Sequence, residues 1–190
     1  EIDGRRASAY RSTYYDTPGL DSYLAAARRR ARRYKVRRRD YLDSGETMIE
    51  VKVRSPRGDT VKHRAPLAPC SEVARMVAVE DFAATFEQVG EAARSLQPVL
   101  VTEYRRTTLL HPQGRVTVDS EVVATDTAGR RVDYGDALIV ETKSPGGAGA
   151  VDRALWSRGV RPARLSKYAT SLAALRPDLP SNRWHRTLQR

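Results

Sequence analysis

The sequence predicts an α+β fold: an antiparallel β-sheet with one apolar and one basic face, flanked by helices. Three observations carry this. Successive segments alternate apolar and charged residues with period two, the spacing that sets alternate side chains on one face of a strand. Turns rich in Gly, Pro, Asp and Ser separate these segments at hairpin distance. And a chain with 34 lysines and arginines, only five of them lysines, keeps Lys35, Lys52, Lys62 and Lys143 inside the alternating segments and Lys167 in a Ser-Lys-Tyr motif.

The elements follow in order. Residues 10–16 read as a strand ended by the turn Asp16-Thr17-Pro18-Gly19. Asp21 or Ser22 is expected to cap a short Ala-rich helix to about residue 30. Residues 34–41 form a strand, Asp43-Ser44-Gly45 a turn, residues 47–54 a strand, Ser55-Pro56-Arg57-Gly58-Asp59 a turn, and residues 60–64 complete a meander. Residues 71–96 are the main helical region, capped by Ser71, with Val73, Met76, Val77, Phe82, Phe86 and Val89 as its apolar stripe. Strands are expected at 99–110 and 115–124, joined by the turn His111-Pro112-Gln113-Gly114, then near 131–132 and at 137–143. A Pro/Gly loop at 144–149 leads to helices at 151–158 and 166–175. Residues 1–176 are expected to form one domain, followed by a polar, loose tail at 177–190.

Composition narrows the function. A chain of 190 residues with 40% hydrophobic residues has enough to bury a core. The net charge of +11 calls for an anionic partner. No apolar run reaches the roughly 20 residues of a membrane-spanning helix, and no secretory signal is visible. A cytoplasmic protein without a membrane span is the expectation. The single Cys70 excludes an internal disulfide and reads as a small apolar filler, and His63, His111 and His185 lack metal-ligand spacing.

Strand parity concentrates the charge. Lys35, Arg37, Arg39 and Tyr41 share one face, as do Glu50, Lys52 and Arg54 opposite Ile49, Val51 and Val53. Lys62 and Arg64 flank His63, Arg115 and Asp119 alternate with Val116 and Val118, and Glu141 and Lys143 alternate with Val140. With Arg106 and Lys167, this face gathers eleven bases against three acids. Solvated faces ordinarily mix signs, because like charges on neighbouring strands destabilise a sheet. So one-sided a face implies a bound polyanion, and closing the sheet into a barrel would focus its potential inward. Lysine is a compact point-charge ligand for phosphate and arginine a rigid fork. Glu50 and Asp119 are candidates both for internal ion pairs and for metal ligation. Glu141, beside a Gly-rich loop, suits a divalent cation that takes one or two carboxylates plus phosphate oxygens.

At these residues the chain resembles a known family. Tyr10-Arg11-Ser12-Thr13-Tyr14-Tyr15-Asp16-Thr17-Pro18, Lys35-Val36-Arg37-Arg38-Arg39-Asp40-Tyr41, Ile49-Glu50-Val51-Lys52, Val61-Lys62-His63-Arg64, Tyr104-Arg105-Arg106-Thr107, Arg115-Val116-Thr117-Val118-Asp119, Val140-Glu141-Thr142-Lys143 and Ser166-Lys167-Tyr168 occur in the order found in VTC domains. These are the polyphosphate polymerase domains of the triphosphate tunnel metalloenzyme (CYTH-like) superfamily, and the tail resembles that of actinobacterial members. The resemblance implies an antiparallel eight-stranded β-barrel tunnel with flanking helices, whose first strand would precede Glu1. It implies synthesis of polyphosphate from ATP with Mn²⁺ or Mg²⁺ and release of ADP. Arg37, Arg39, Lys52, Lys62, Arg106 and Arg115 would grip phosphates, Lys167 would close one end, and Lys35, Arg64, Lys143 and Tyr41 would contact substrate. Glu141 would hold the metal, with Glu50 and Asp119 as further candidates.

Three other readings compete with a polymerase. The same tunnel suits a tripolyphosphatase or other triphosphatase, since water and a terminal phosphate are alternative acceptors. A non-catalytic polyphosphate or inositol-phosphate binder would keep the basic face without needing Glu141. Nucleic-acid binding is not expected, because the aromatics are few and no familiar nucleic-acid motif occurs.

Overall fold

A computed structural model describes residues 6–54, 58–112 and 114–189. The expected turns at 55–59 and 111–114 lie partly outside the described residues. Eight strands occur among the described ones: β1 (Ser8–Asp16), β2 (Tyr34–Tyr41), β3 (Glu46–Arg54), β4 (Thr60–Pro66), β5 (Gln97–His111), β6 (Gly114–Asp126), β7 (Arg131–Asp133) and β8 (Ile139–Lys143). The helices are α1 (Asp21–Ala27), α2 (Glu72–Ala84), α3 (Ala150–Ser157), α4 (Lys167–Leu175) and α5 (His185–Leu188), with 3₁₀ turns at Gly90–Ser95 and Asn182–Trp184.

The strands form one antiparallel sheet in the order β4-β3-β2-β1-β5-β6. Strand β6 is long enough to carry two partners: β8 pairs with its first half, Arg115 to Asp119, and β7 with its last, Val123 to Thr125. Gly114 opens β6 with φ +147°, and a Cβ there would stand 2.0 Å from the Lys143 carbonyl oxygen. Only glycine lets the two chain ends approach so closely.

The closed barrel is not formed among the described residues. Strand β4 pairs with β3 alone, and no ladder joins it to the five-residue β8, so the sheet is a trough rather than a tube. The sheet nevertheless curls strongly. Three strand spacings of about 4.8 Å separate β2 from β6 in the sheet order. Yet Lys35 of β2 donates to Ser166 Oγ, while the next residue, Lys167, is ion-paired with Asp119 of β6.

Helices cover the convex face and fill part of the concave one. The outer face of β2 and β3, Val36, Ile49, Val51 and Val53, packs with Val79 and Ala83 of α2 and with Val89, Ala93 and Leu96 beyond it. The helical region is not continuous: it breaks between Thr85 and Gly90, where Gly90 adopts φ +54°. Its buried stripe is also rotated from expectation. Val73 and Val77 are 76% and 51% exposed, because Met76, Val79, Ala83 and Phe86, at helical spacing, face the sheet instead. Ser71 caps α2 as expected, accepting from Ala74 N at 3.2 Å.

The second core joins Tyr14, Tyr23, Leu100 and Ala124 to α4 and to Trp184. Helix α4, made mostly of small and apolar residues, is buried on nearly all sides, with only Ala174 exposed. It lies inside the curl. The tail, expected to be loose, is anchored here by the 3%-exposed Trp184 and by a hydrogen bond from Tyr23 Oη to the Pro180 carbonyl. Helix α1 is capped by neither Asp21 nor Ser22. Asp16 does this work from the end of β1, accepting from the amides of Ser22 and Tyr23, each at 2.9 Å, and from Tyr168 Oη at 2.6 Å. One buried carboxylate thus ties β1, α1 and α4 together.

Candidate functional site

Strand register converts the basic segments into rows. Lys35 on β2 lies opposite Lys52 on β3, which lies opposite Lys62 on β4. The next row is Arg37, Glu50 and Arg64. On the other wall Arg115 opposes Lys143, Thr117 opposes Glu141, and Arg106 opposes Asp119. Helix α4 enters between the walls, and its N-terminal residues Ser166 and Lys167 reach both. The unsatisfied amides of a helix N-terminus add to the positive potential there.

Two carboxylates are consumed by this framework. Glu50, 1% exposed, gives Oε2 to Arg37 Nε (2.6 Å) and Nη2, and Oε1 to Lys62 at 3.2 Å. Burial opposes its charge, but Arg37 and Arg39 prevail and hold its pKa at about 2. Asp119, also 1% exposed, binds Arg106 through two bonds at 2.5 and 2.8 Å and pairs with Lys167. Despite its burial, these partners keep its carboxyl below the usual range.

Other cations remain uncommitted. Among the described residues, Lys35, Arg39 and Lys52 have no carboxylate within ion-pair distance, although Arg39 is only 6% exposed. Lys35 reaches Ser166 Oγ at 2.8 Å and Arg39 the Ser12 Oγ at 3.4 Å, both neutral. Burial, with Arg37 and Lys35 nearby, lowers the Lys52 ammonium to about 8. An ionised group buried without a counter-charge is costly, so this arrangement is one that an anion would stabilise. The rim is more open: Arg64, Arg115, Lys143 and Glu141 are exposed, and Tyr41 is half-buried, edge-on to Tyr10 at 5.1 Å.

Sequence reasoning missed the aromatic floor. Tyr10 and Tyr104 stack at 5.4 Å. Arg39 and Arg106 lie over the Tyr10 ring, and the Lys167 ammonium is 4.6 Å from the Tyr104 centroid. These rings support the cations by cation–π attraction without neutralising them. Tyr14 is 2% exposed and stacks on Tyr168. Burial alone would raise its phenol, but Arg37, Lys35 and Arg39 reverse this and bring it to about 7. The signal in the sequence was the period-two spacing of Tyr10 and Tyr14 on β1.

No cage for a metal ion, in the sense of three or more His, Cys, Asp or Glu side chains, occurs among the described residues. Glu50 and Asp119 have their oxygens taken by cations. Among the described residues Glu141 pairs only with the exposed Lys143, at 3.3 Å, and lies within electrostatic range of Lys52 and Arg106. A single such carboxylate fits Mg²⁺ or Mn²⁺ carried in on phosphate oxygens, and does not fit an ion held by protein alone.

A curled antiparallel sheet with a cationic concave face and a helix set inside it defines a class. The chain is similar in structure to a proposed adenylate cyclase from Bacillus halodurans, at 14% identity and a TM-score of 0.53, over 87% of this chain and 82% of that one. It is likewise similar to HpAC1 from Hippeastrum, a proposed adenylyl cyclase with a dominant triphosphatase activity, at 13% identity and a TM-score of 0.54, over 94% and 87% of the two chains. At these identities the likeness is one of fold, and the class is that of these curled antiparallel sheets. Within it the chain belongs to the VTC domain family, whose family model matches residues 2–176. No curated protein sequence matches the chain. No described helix is long and apolar enough to cross a membrane.

Proposed function

We propose that the trough binds and processes a triphosphate or polyphosphate chain, and that the reaction is polyphosphate synthesis from ATP. The observation that carries this reading is the set of uncommitted cations, Lys35, Arg39 and Lys52, on a concave face where the buried acids Glu50 and Asp119 are already spent on Arg37, Lys62, Arg106 and Lys167. A linear anion with several charges matches several separate cations better than one carboxylate does. Membership of the VTC family supports the polymerase reading.

The residues divide the work. Arg37 and Arg106, fixed by Glu50 and Asp119, are rigid forks for non-bridging phosphate oxygens. Arg39, Lys35 and Lys52 neutralise charge along the chain, and Lys167 and the α4 N-terminus flank it. Glu141 would hold Mn²⁺ or Mg²⁺, which supplies charge neutralisation on phosphate oxygens. In the transfer, the bond between the terminal phosphorus and its bridging oxygen breaks, and the electron pair leaves with ADP. A terminal oxygen of the growing chain forms the new bond to that phosphorus. Charge gathers on the leaving oxygen, and fixed cations stabilise it without reorganising.

Purified protein incubated with ATP and Mn²⁺, with ADP, free phosphate and polyphosphate measured separately, tests this. Polyphosphate formed together with ADP is expected. Free phosphate without polymer assigns the trough to triphosphate hydrolysis, the activity named for the Hippeastrum protein. If no product forms and tripolyphosphate does not bind, the reading fails altogether.

A further inference from the structure

The cation lane does not stop at the trough. Arg54 N donates to the Arg33 carbonyl at 3.0 Å, extending the β2–β3 ladder one row past Lys35 and Lys52. From Arg39 to Arg33 this lane spans six residues, about 20 Å of strand. Beyond it lies a cleft of about 300 Å³ lined by Lys35 and Lys52 on the trough side and by Arg33, Arg54, Arg164 and Arg183 on the outer side. A second cleft of about 520 Å³ continues past Arg164 and Arg183 to Arg161 and Arg186. Among the described residues, neither lining contains an acidic one. The arginines crowd one another: beyond the effect of burial, Arg54 and Arg183 depress Arg33, while Arg29, Arg164 and Arg54 depress Arg183. Arg183 is fixed by donating to the Ala26 carbonyl, which sets the tail in place over the cleft.

We propose that Arg33, Arg54, Arg164 and Arg183 form a mouth subsite that takes the continuing phosphates of a long inorganic polyphosphate whose end lies in the trough. The inference rests on the phosphate-chain reading of the trough and adds an extended ligand and a route for it. Continuity favours this occupant, because Lys35 and Lys52 belong to both spaces. A nucleic acid is disfavoured: Trp184 in the cleft lining is 3% exposed and packed against Tyr23 at 5.5 Å, so it offers no free ring face for base stacking.

The test compares tripolyphosphate with long-chain polyphosphate by calorimetry, on the wild type and on the double variant Arg33→Ala/Arg164→Ala. Neither position belongs to the trough. The wild type is expected to bind the long chain more tightly. The double variant is expected to lose about tenfold in affinity for the long chain and to keep its affinity for tripolyphosphate, which also reports an intact fold. If the wild type binds tripolyphosphate and shows no preference for the long chain, the mouth subsite is wrong while the trough reading survives. Failure to bind tripolyphosphate overturns both. Equal losses for the two ligands overturn the subsite as a separate element. So does a single-stranded oligonucleotide that binds the wild type as tightly as long-chain polyphosphate and loses the same affinity in the variant, since the mouth would then be a nucleic-acid site.

Discussion

Arg37 and Glu50 face each other across the β2–β3 ladder, and both Nε and Nη2 of the guanidinium bind the same carboxylate oxygen, Oε2. The other oxygen belongs to Lys62 on β4. Three strands are therefore pinned at one buried point. The arrangement spends an acid to orient a cation, whereas Arg39, one row along, is left without an acid.

That difference separates two truncations. Glu50→Gln leaves Arg37 and Lys62 without their counter-charge, and at pH 7 it is expected to cost about 3 kcal/mol of stability. The Glu50 pKa is depressed to about 2 in the folded state. The pair's contribution is thus fully present above the ordinary carboxylate range and is lost as pH falls through about 2. Denaturant unfolding of wild type and variant should show a gap at pH 7 that narrows as the pH falls below about 4.5. A gap independent of pH would mean that Glu50 acts through packing rather than charge.

Arg39→Ala is expected to behave in the opposite way. Among the described residues Arg39 hydrogen-bonds no carboxylate and acts on Glu50 only at a distance, so the unliganded variant should lose much less stability than Glu50→Gln. Its affinity for tripolyphosphate should fall about tenfold or more, the loss expected for a charge-assisted hydrogen bond. Thermal unfolding with and without tripolyphosphate measures both effects. A variant that is destabilised alone yet equally stabilised by ligand would remove Arg39 from the binding surface.

The sheet was legible in the sequence because strands state their faces by parity. Lys35, Lys52 and Lys62 fall on one face by counting alone. That they form a single row is a matter of register, which no local pattern encodes. Helix α4 was legible as a helix but not as an interior one, since its Ala- and Ser-rich composition fits a surface equally well. Closure failed as an expectation because parity describes the faces of a sheet and says nothing about whether its edge strands meet. Arg33, Arg164 and Arg183 escaped notice for a different reason. In a chain so rich in arginine, individual arginines carry no signal until folding brings residues 33 and 183 together.

Tyr14 gives binding a pH dependence of definite sign. Its phenol, at about 7, is surrounded by Arg37, Lys35 and Arg39. Above that pH the phenolate cancels one positive charge of the trough. A bound polyanion opposes the phenolate and raises its pKa. Affinity for tripolyphosphate should therefore weaken as pH rises through about 7, and binding above it should take up a proton. Calorimetry in buffers of different ionisation enthalpy detects that uptake. Tyr14→Phe should remove the uptake centred near pH 7, leave that of Lys52 near 8, and flatten the pH profile through neutrality.

Lys52 governs the alkaline side. Burial first, then Arg37 and Lys35, bring its ammonium to about 8, so it is charged at pH 7 and neutral well above 8. A phosphate beside it restores the proton, and affinity should decline further as pH climbs through 8. Lys52→Arg keeps its charge throughout this range and should carry binding undiminished to higher pH. A variant profile matching that of the wild type would assign the alkaline limb elsewhere.

Glu141 separates binding from turnover. It sits on β8 opposite Thr117, with Lys143 as its ion-pair partner and Lys52 and Arg106 within range across the trough. In our proposal its carboxylate holds the divalent ion, while cations alone hold the phosphate chain. Glu141→Gln keeps the shape and removes the charge. It should reduce Mn²⁺-dependent turnover of ATP by at least a hundredfold, the scale of losing an electrostatic element of the transition state. It should also leave metal-free binding of polyphosphate equal or slightly tighter, because one repelling negative charge is gone. Titrating Mn²⁺ into each protein with tripolyphosphate bound provides a readout independent of activity: the wild type should take up the ion more tightly than the variant. Equal metal affinity in the two proteins would place the cation on phosphate oxygens alone and leave Glu141 as the counter-ion of Lys143.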